Sequence, residues 1–249
     1  MPKFFVPKEN IRGNKIIIDG EDVAHIKKVR RLGIGDELNM CDGAGMDYTV
    51  KISEINNKTI QCDILTKQKS DTESNIEVTL FQGIPKGSKM DYIIQKTTEL
   101  GIVKIVPCIM SRCIVKIESE KEMIKKQQRW QKIAEEAAKQ SGRGIIPQVA
   151  MPCKFSEALD LMKQSDIYFA PYECEQENTL KKALTSVRDP FRVSFMIGPE
   201  GGFALEEIEK LKENGIPTVT LGKRILRTET AGEAVTAMIM YSIGDINIM

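Results

Sequence analysis

The stretch FMIGPEGGF (residues 195–203) runs from an apolar segment into Gly198, Pro199, Glu200, Gly201 and Gly202, and then into ALEEIEKLKENG (204–215). The upstream residues RVSFMIG have the apolar, β-branched and aromatic content of a buried strand, and 204–214 repeats apolar residues at helical spacing, with Gly215 as the stop. Strand, glycine-rich turn and helix in that order form the repeating half of a parallel α/β sheet, where the helix is the crossover. In such a sheet, ligands bind beyond the carboxyl ends of the strands, where this turn falls. Its glycines admit two readings, a merely tight turn or a backbone that approaches a ligand.

The same rhythm extends outward in both directions. EVTLFQGIP, helix 89–100, VKIVPCIM, helix 119–140, IIPQVAM, helix 156–164 capped by Ser156, DIYFAPY, helix 177–186 and, after the opening stretch, TVTLG complete an alternating series. Before residue 70 the pattern changes to short β segments: KFFVP, NKIIIDG, DELNMCDG, MDYTVKISEI and KTIQCDILT, with DGAG (42–45) as a hairpin turn and one short helix over 21–31. The polar run KQKSDTESN (67–75) reads as a linker. Two domains follow, a small β-barrel over 1–71 and an α/β domain over 72–249.

Composition narrows the chemistry. A net charge of +1 gives no global reason to expect nucleic acid, although HIKKVRR (25–31) concentrates Lys27, Lys28, Arg30 and Arg31 on one predicted helix that either contacts phosphates or is a solvated face. Six cysteines without a C-x-x-C pair indicate neither a zinc site nor a disulfide framework, and a single histidine, His25, leaves little for metal or Ser-His-Asp chemistry. No 18-residue apolar run and no secretory signal are present, so a soluble, cytoplasmic protein is expected. G-x-G-x-x-G and the G-x-x-x-x-G-K-[ST] phosphate loop are both missing.

Three further stretches carry possible chemistry. LGKRILRTETAGEAVTAMIMY (221–241) crowds Lys223, Arg224, Arg227, Glu229 and Thr230 ahead of a small-residue helix; the bland reading is a basic loop capped by Thr228 or Thr230. EEAAKQSGRG (135–144) ends a helix at Arg143, and PKGSKMDYIIQKTTELG (85–101) sets Lys86 and Lys89 before an amphipathic helix. Trp130 reads as a packing anchor.

Taken in order, PKGSKMDYIIQKTTELG, RWQKIAEEAAKQSGR, IGPEGGF and LGKRILRTETA resemble the RsmE family of small-subunit ribosomal RNA methyltransferases, and KFFV with HIKKVRRLGIGDE is similar to that family's opening module. Lys3 stands where an arginine is common, and VRR replaces the usual VLR. The resemblance implies a SPOUT-type α/β domain with a trefoil knot, preceded by a PUA-like barrel, that binds S-adenosylmethionine as a homodimer. It implies methylation of N3 of one uridine in 16S rRNA of the small ribosomal subunit, with no metal and no membrane. It places cofactor contacts on Ile197, Gly198, Pro199, Glu200, Gly201 and Gly202, and on Leu221, Gly222, Arg224, Ile225, Leu226, Arg227 and Thr230, with Ala170 and Pro171 closing the pocket. Within those loops Glu200 and Glu229 are candidate bases and Arg227 the candidate cation for the uridine anion. RNA contacts are expected from Lys86, Arg112, Arg143 and the 27–31 cluster. A knotted methyltransferase with another target, a non-catalytic RNA-binding assembly factor and a small-molecule α/β enzyme are the alternatives.

Overall fold

A computed structural model describes residues 3–116 and 119–246. The chain divides into two compact units, Met1–Glu73 with Ala138–Ile146, and Ser74–Ala137 with Pro147–Met249. The return of 138–146 to the first unit has no signature in the sequence.

In the first unit, β1 (Phe4–Phe5), β2 (Ile11–Arg12), β3 (Lys15–Ile18), β4 (Glu37–Cys41), β5 (Met46–Ile55) and β6 (Ile60–Lys69) form one sheet in the order β1-β4-β5-β6-β3-β2. All neighbours are antiparallel except β1 and β4. Alternating residues such as Ile16, Ile18, Leu38, Met40, Val50, Ile52, Ile60 and Cys62 enclose one core, and two register shifts in the β5–β6 ladder bend these long strands. The DGAG hairpin is present: Asp42 Oδ1 accepts the N–H groups of Ala44 and Met46. The 67–75 linker is shorter than expected, because β6 pairs through Lys69 with Met46. The short helix begins as α1 (Glu21–Ala24) and continues as a π-helical turn over His25–Arg30, stopped by Arg31 at φ 55°.

In the second unit, β7 (Glu77–Gly83), β8 (Lys104–Ile109), β9 (Gln148–Val149), β10 (Cys153–Lys154), β11 (Ile167–Pro171), β12 (Arg192–Ile197) and β13 (Thr218–Val219) are all parallel. Their order is β10-β8-β7-β12-β11-β13, with β9 also on β8. The helices are α2 (Lys89–Glu99), α3 (Glu120–Ser141), α4 (Phe155–Met162), α5 (Leu180–Leu184), α6 (Leu205–Glu213) and α7 (Thr228–Ser242). The pleat sends neighbouring strand residues to opposite faces. Leu80, Phe169, Phe195 and Ile197 join α2, α3, α5 and α7 in one core, whereas Phe81, Ala170 and Met196 join α4 and α6 in the other. This two-sided burial is why the strands read as continuous apolar runs. Trp130 is in the first of these cores, as expected.

Two local expectations are corrected. Ser156 is not a cap, because α4 starts one residue earlier and Glu157 accepts the Lys154 N–H at 3.0 Å. Residues 177–179 are not helical; Glu175 Oε1 gathers the N–H groups of Gln176, Glu177 and Asn178 into a turn, and α5 starts only after Thr179 caps it.

Candidate active site

The carboxyl ends of β11, β12 and β13 lie side by side, and the loops that leave them wall a cavity of about 450 Å³. Pro171–Glu173, Ile197–Phe203 and Thr220–Thr228 line it, with Lys89 and Ala231. Backbone closeness shapes the central loop. A Cβ on Gly83, at the end of β7, would lie 2.6 Å from the Pro199 nitrogen, so only glycine lets that peptide settle there. Gly202 has φ +66°, the left-handed conformation that turns the chain toward α6, and its N–H donates to Pro199 O at 2.9 Å.

Side chains from four other segments fasten this loop. The Thr228 hydroxyl donates to Gly198 O at 2.7 Å and accepts from Gln82 Nε2 at 2.9 Å, while the same Gln82 nitrogen also donates to Gly83 O. Both Thr228 and Gln82 are buried. Arg112 Nη1 donates to Gly201 O at 2.7 Å. Buried Glu207 accepts from Ser111 N at 2.8 Å and from Ala204 N at 2.9 Å, tying the Arg112 turn to the start of α6.

Glu200 accepts the Lys86 N–H at 3.1 Å, and the Lys89 ammonium stands 3.2 Å from Glu200 and 3.4 Å from Glu229. Lys89 therefore bridges the glycine loop and the first turn of α7. Burial pushes the Glu200 carboxyl up, but the N–H groups of Glu200 itself and Lys86, with the Lys89 ammonium, outweigh it and hold the group below the usual carboxylate range. Glu200 is thus a committed acceptor and a poor base. Glu229 Oε2 is buried without a hydrogen bond, with the Lys89 ammonium as its ion-pair partner.

The β11 loop is held by a separate set of hydrogen bonds. Glu175 takes the Thr218 hydroxyl at 2.6 Å in addition to its three N–H donors, and that set, led by Thr218, lowers its pKa to about 2. Tyr172 N–H donates to Val219 O at 3.0 Å, which anchors this wall to β13.

Most of the sequence candidates meet here. Pro171, Ile197, Gly198, Pro199, Glu200, Gly201, Gly202, Leu221, Gly222, Arg224, Ile225, Leu226 and Arg227 all line the cavity. Ala170 does not: the pleat turns it into the α4–α6 core, where it is fully buried. Thr230 is exposed on α7 away from the cavity wall, and Glu229 reaches the site through Lys89. Arg143 is in the other unit, 4% exposed and paired with Glu73 at 2.6 Å, so its guanidinium is not offered to RNA. Lys27, Lys28, Arg30 and Arg31 are also in the first unit, on the π-helical turn and its cap. Sequence reasoning missed Lys89, Gln82, Gly83, Tyr172 and Glu173 as site residues, and treated Thr228 only as a cap. A glycine closing a strand was the one available signal, for Gly83.

The wall carries both signs, Lys89, Lys223, Arg224 and Arg227 against Glu173 and Glu200, beside apolar Pro171, Ile197, Leu221 and Leu226. Such a lining suits a ligand with an apolar body and separated opposite charges. S-adenosylmethionine, with a carboxylate, an ammonium and a sulfonium, fits that donor set and the cavity's volume.

Comparison with known proteins agrees with this geometry. Residues 72–240 match the family model of an RNA methyltransferase domain, and residues 18–65 match that of an RNA methyltransferase PUA domain. Fold and site thus define an RNA methyltransferase with an α/β catalytic unit and a PUA-like unit. The ribosomal RNA small subunit methyltransferase E of Bacillus subtilis is 34% identical over 228 residues, 90% of this chain and 89% of that protein. Its counterpart from Buchnera aphidicola subsp. Schizaphis graminum is 32% identical over 99% of this chain and 98% of its own. The crystal structure of the Neisseria gonorrhoeae ribosomal RNA small subunit methyltransferase E bound to S-adenosyl methionine superposes with a TM-score of 0.86 at 34% identity, covering 99% of each chain. A putative methyltransferase from Legionella pneumophila, in complex with the bound cofactor SAM, gives 0.84 at 29% identity over 98% of this chain and 99% of that one. The chain belongs to the ribosomal RNA small subunit methyltransferase E family, as the sequence motifs imply.

Proposed function

We propose that this protein transfers the methyl group of S-adenosylmethionine to N3 of one uridine in the 16S rRNA of the small ribosomal subunit. The observation that carries the reading is the convergence of three carboxyl-end loops on one mixed-charge cavity, in a chain of this family. The choice of N3 of uridine rests on the family resemblance of the sequence motifs. When bound, the cofactor supplies an electrophilic methyl on sulfonium sulfur, whose transfer needs no metal.

The chain's own residues divide the remaining work. Ile197–Gly202 and Leu221–Arg227 hold the cofactor, largely through backbone that the fastening side chains keep in place. Holding nucleophile and methyl at attack geometry contributes on the order of 7 kcal/mol or more at the favourable limit. The N3 proton leaves as the N–C bond forms. Glu229 is its acceptor, since Glu200 is already committed, and Arg227 stabilises negative charge on the uracil oxygens. Lys27, Lys28, Arg30, Arg31 and Lys86 contact RNA phosphates, with Arg112 contributing its remaining N–H donors.

The finer architecture belongs to the same reading. After β13 at the sheet edge, the chain returns as α7 to pack against β7, β12 and α2, and Thr228 bonds to the glycine loop, which supports a trefoil knot. Tyr92 on α2 and Met238 and Tyr241 on α7 are exposed, which supports a homodimer through those helices. A cytoplasmic location follows from a ribosomal substrate.

The test is incubation of the protein and S-adenosylmethionine with small subunits lacking the modification, followed by mass spectrometry of the digested nucleosides. N3-methyluridine at one site is expected. Another methylated nucleoside would overturn the target, and cofactor binding without methylation of any small-subunit RNA would overturn the activity.

A further inference from the structure

The first unit has its own cavity, of about 440 Å³, lined by Gly20, Val23, Ala24, Lys27, Lys28, Asn57 and Lys58. Three of these seven residues are lysines and none is acidic. Its two walls are α1 with the π-helical turn on one side and the turn between β5 and β6 on the other. Lys27 Nζ donates to Asn56 O at 3.3 Å across them, and Asn56 N–H closes the second wall on Thr59 O at 2.8 Å. The Lys58 and Asn57 side chains are therefore carried on a hydrogen-bonded turn rather than a loose loop.

The charge on these walls is unbalanced. Elsewhere in this unit Lys3 is paired with Asp47 at 2.7 Å and Lys139 with Asp22 at 2.6 Å. Among the described residues no ion pair joins Lys27, Lys28 or Lys58 to a carboxylate. Three ammonium groups around one concavity repel one another, and an anion seated between them removes that repulsion. Val23 and Ala24 add an apolar surface of the kind a sugar can rest on.

We infer that this pocket is a subsite for one backbone phosphate of the RNA strand, held by Lys27, Lys28 and Lys58 with the Asn57 amide. The inference rests on the reading that RNA is the substrate, and it adds Lys58 and Asn57, which the charge run 25–31 does not contain. Arg30 and Arg31 lie outside the pocket wall. A contact of this kind fixes the strand's register on the protein and carries no base preference.

The experiment measures binding of a fluorescent 16S rRNA fragment to the full-length chain over a salt series, for wild type, Lys58→Gln, Lys27→Gln and, as control, Lys51→Gln on the exposed face of β5. Each pocket variant should lower the slope of log K against log salt by about 0.7–0.9, the loss of one phosphate contact, and weaken binding equally for unrelated RNA sequences. S-adenosylmethionine affinity should be unchanged in all three variants. Pocket variants indistinguishable from Lys51→Gln would overturn the inference while methylation by the wild type stands. A slope loss in the pocket variants without any methylation would instead overturn the methyltransferase reading and leave the phosphate site in place. Absence of RNA binding by the wild type would overturn the inference.

Discussion

Replacing Thr228 by valine keeps the shape of the side chain and removes its hydroxyl. That hydroxyl has two partners, Gly198 O as acceptor at 2.7 Å and Gln82 Nε2 as donor at 2.9 Å, both in buried surroundings. Gln82 keeps its second bond to Gly83 O, so one of its donor hydrogens and the Gly198 carbonyl bond are lost. A buried polar group left unpaired costs about 1–3 kcal/mol, and with one partner fully and one half deprived the total is about 2–4 kcal/mol. Part of this appears as global destabilisation. The rest appears as the free energy of restoring the loop when cofactor binds, where about 1.4 kcal/mol weakens affinity tenfold. Urea unfolding and calorimetric titration with S-adenosylmethionine read the two shares. Thr228→Ser retains the hydroxyl and should keep cofactor affinity within a factor of about two or three, a fraction of 1 kcal/mol. A Thr228→Val protein with wild-type stability and wild-type cofactor affinity would refute the claim that this hydroxyl fastens the loop.

Lys89→Met leaves Glu200 and Glu229 without the ammonium they share; their side chains are only 20% and 19% exposed, so stability should fall by about 1–3 kcal/mol, while turnover falls beyond that and Lys89→Arg recovers most of it in steady-state kinetics. Gly83→Ala places a methyl 2.6 Å from Pro199 N and Met110 Sδ, and should cost about 1–3 kcal/mol of overpacking in denaturant titrations, with loss of cofactor binding. Glu175 has a depressed folded-state pKa, so its contribution to stability is present above its ordinary value of 4.5 and is lost as pH falls from there toward about 2. Thermal melts of Glu175→Gln should accordingly lose part of the acid-side slope in that window, whereas an unchanged acid limb would contradict the assignment.

The α/β class was legible because a parallel sheet covered on both faces writes itself as apolar strands alternating with amphipathic helices, and the IGPEGGF turn marked a strand's carboxyl end. What remained hidden depended on distance in sequence. Lys89 belongs to the site only because α2 begins beside a loop more than one hundred residues later, and its sequence context is that of any helix start. Arg143 failed in the opposite way. A basic residue after a helix looks available for phosphate, but Glu73 neutralises it across a tertiary contact, at 5% side-chain exposure for the guanidinium-bearing residue. Ala170 was misplaced by a single residue of pleat: Pro171 lines the cavity and its neighbour is in the core.

Strand order explains why the cofactor-sized cavity is where it is. β11, β12 and β13 are adjacent in the sheet and all parallel, so their following loops must emerge at the same edge, although some fifty residues separate the first strand from the last. A side-chain fingerprint such as a glycine-rich dinucleotide motif needs one loop and one helix to make a site. Here three loops contribute backbone, and the specific chemistry moves to the residues that hold them: Thr228 and Gln82 beneath the turn, Arg112 and Glu207 beside it, Lys89 across it and Glu175 under the β11 wall. It follows that substitutions at these fastening residues should damage cofactor binding more than exchanges of side chains on the cavity wall itself. Ile225, 83% exposed at the rim, is the sharpest comparison: Ile225→Ala removes a wall side chain and leaves every one of those loop contacts intact, and it should weaken S-adenosylmethionine binding less than Thr228→Val does in the same titration.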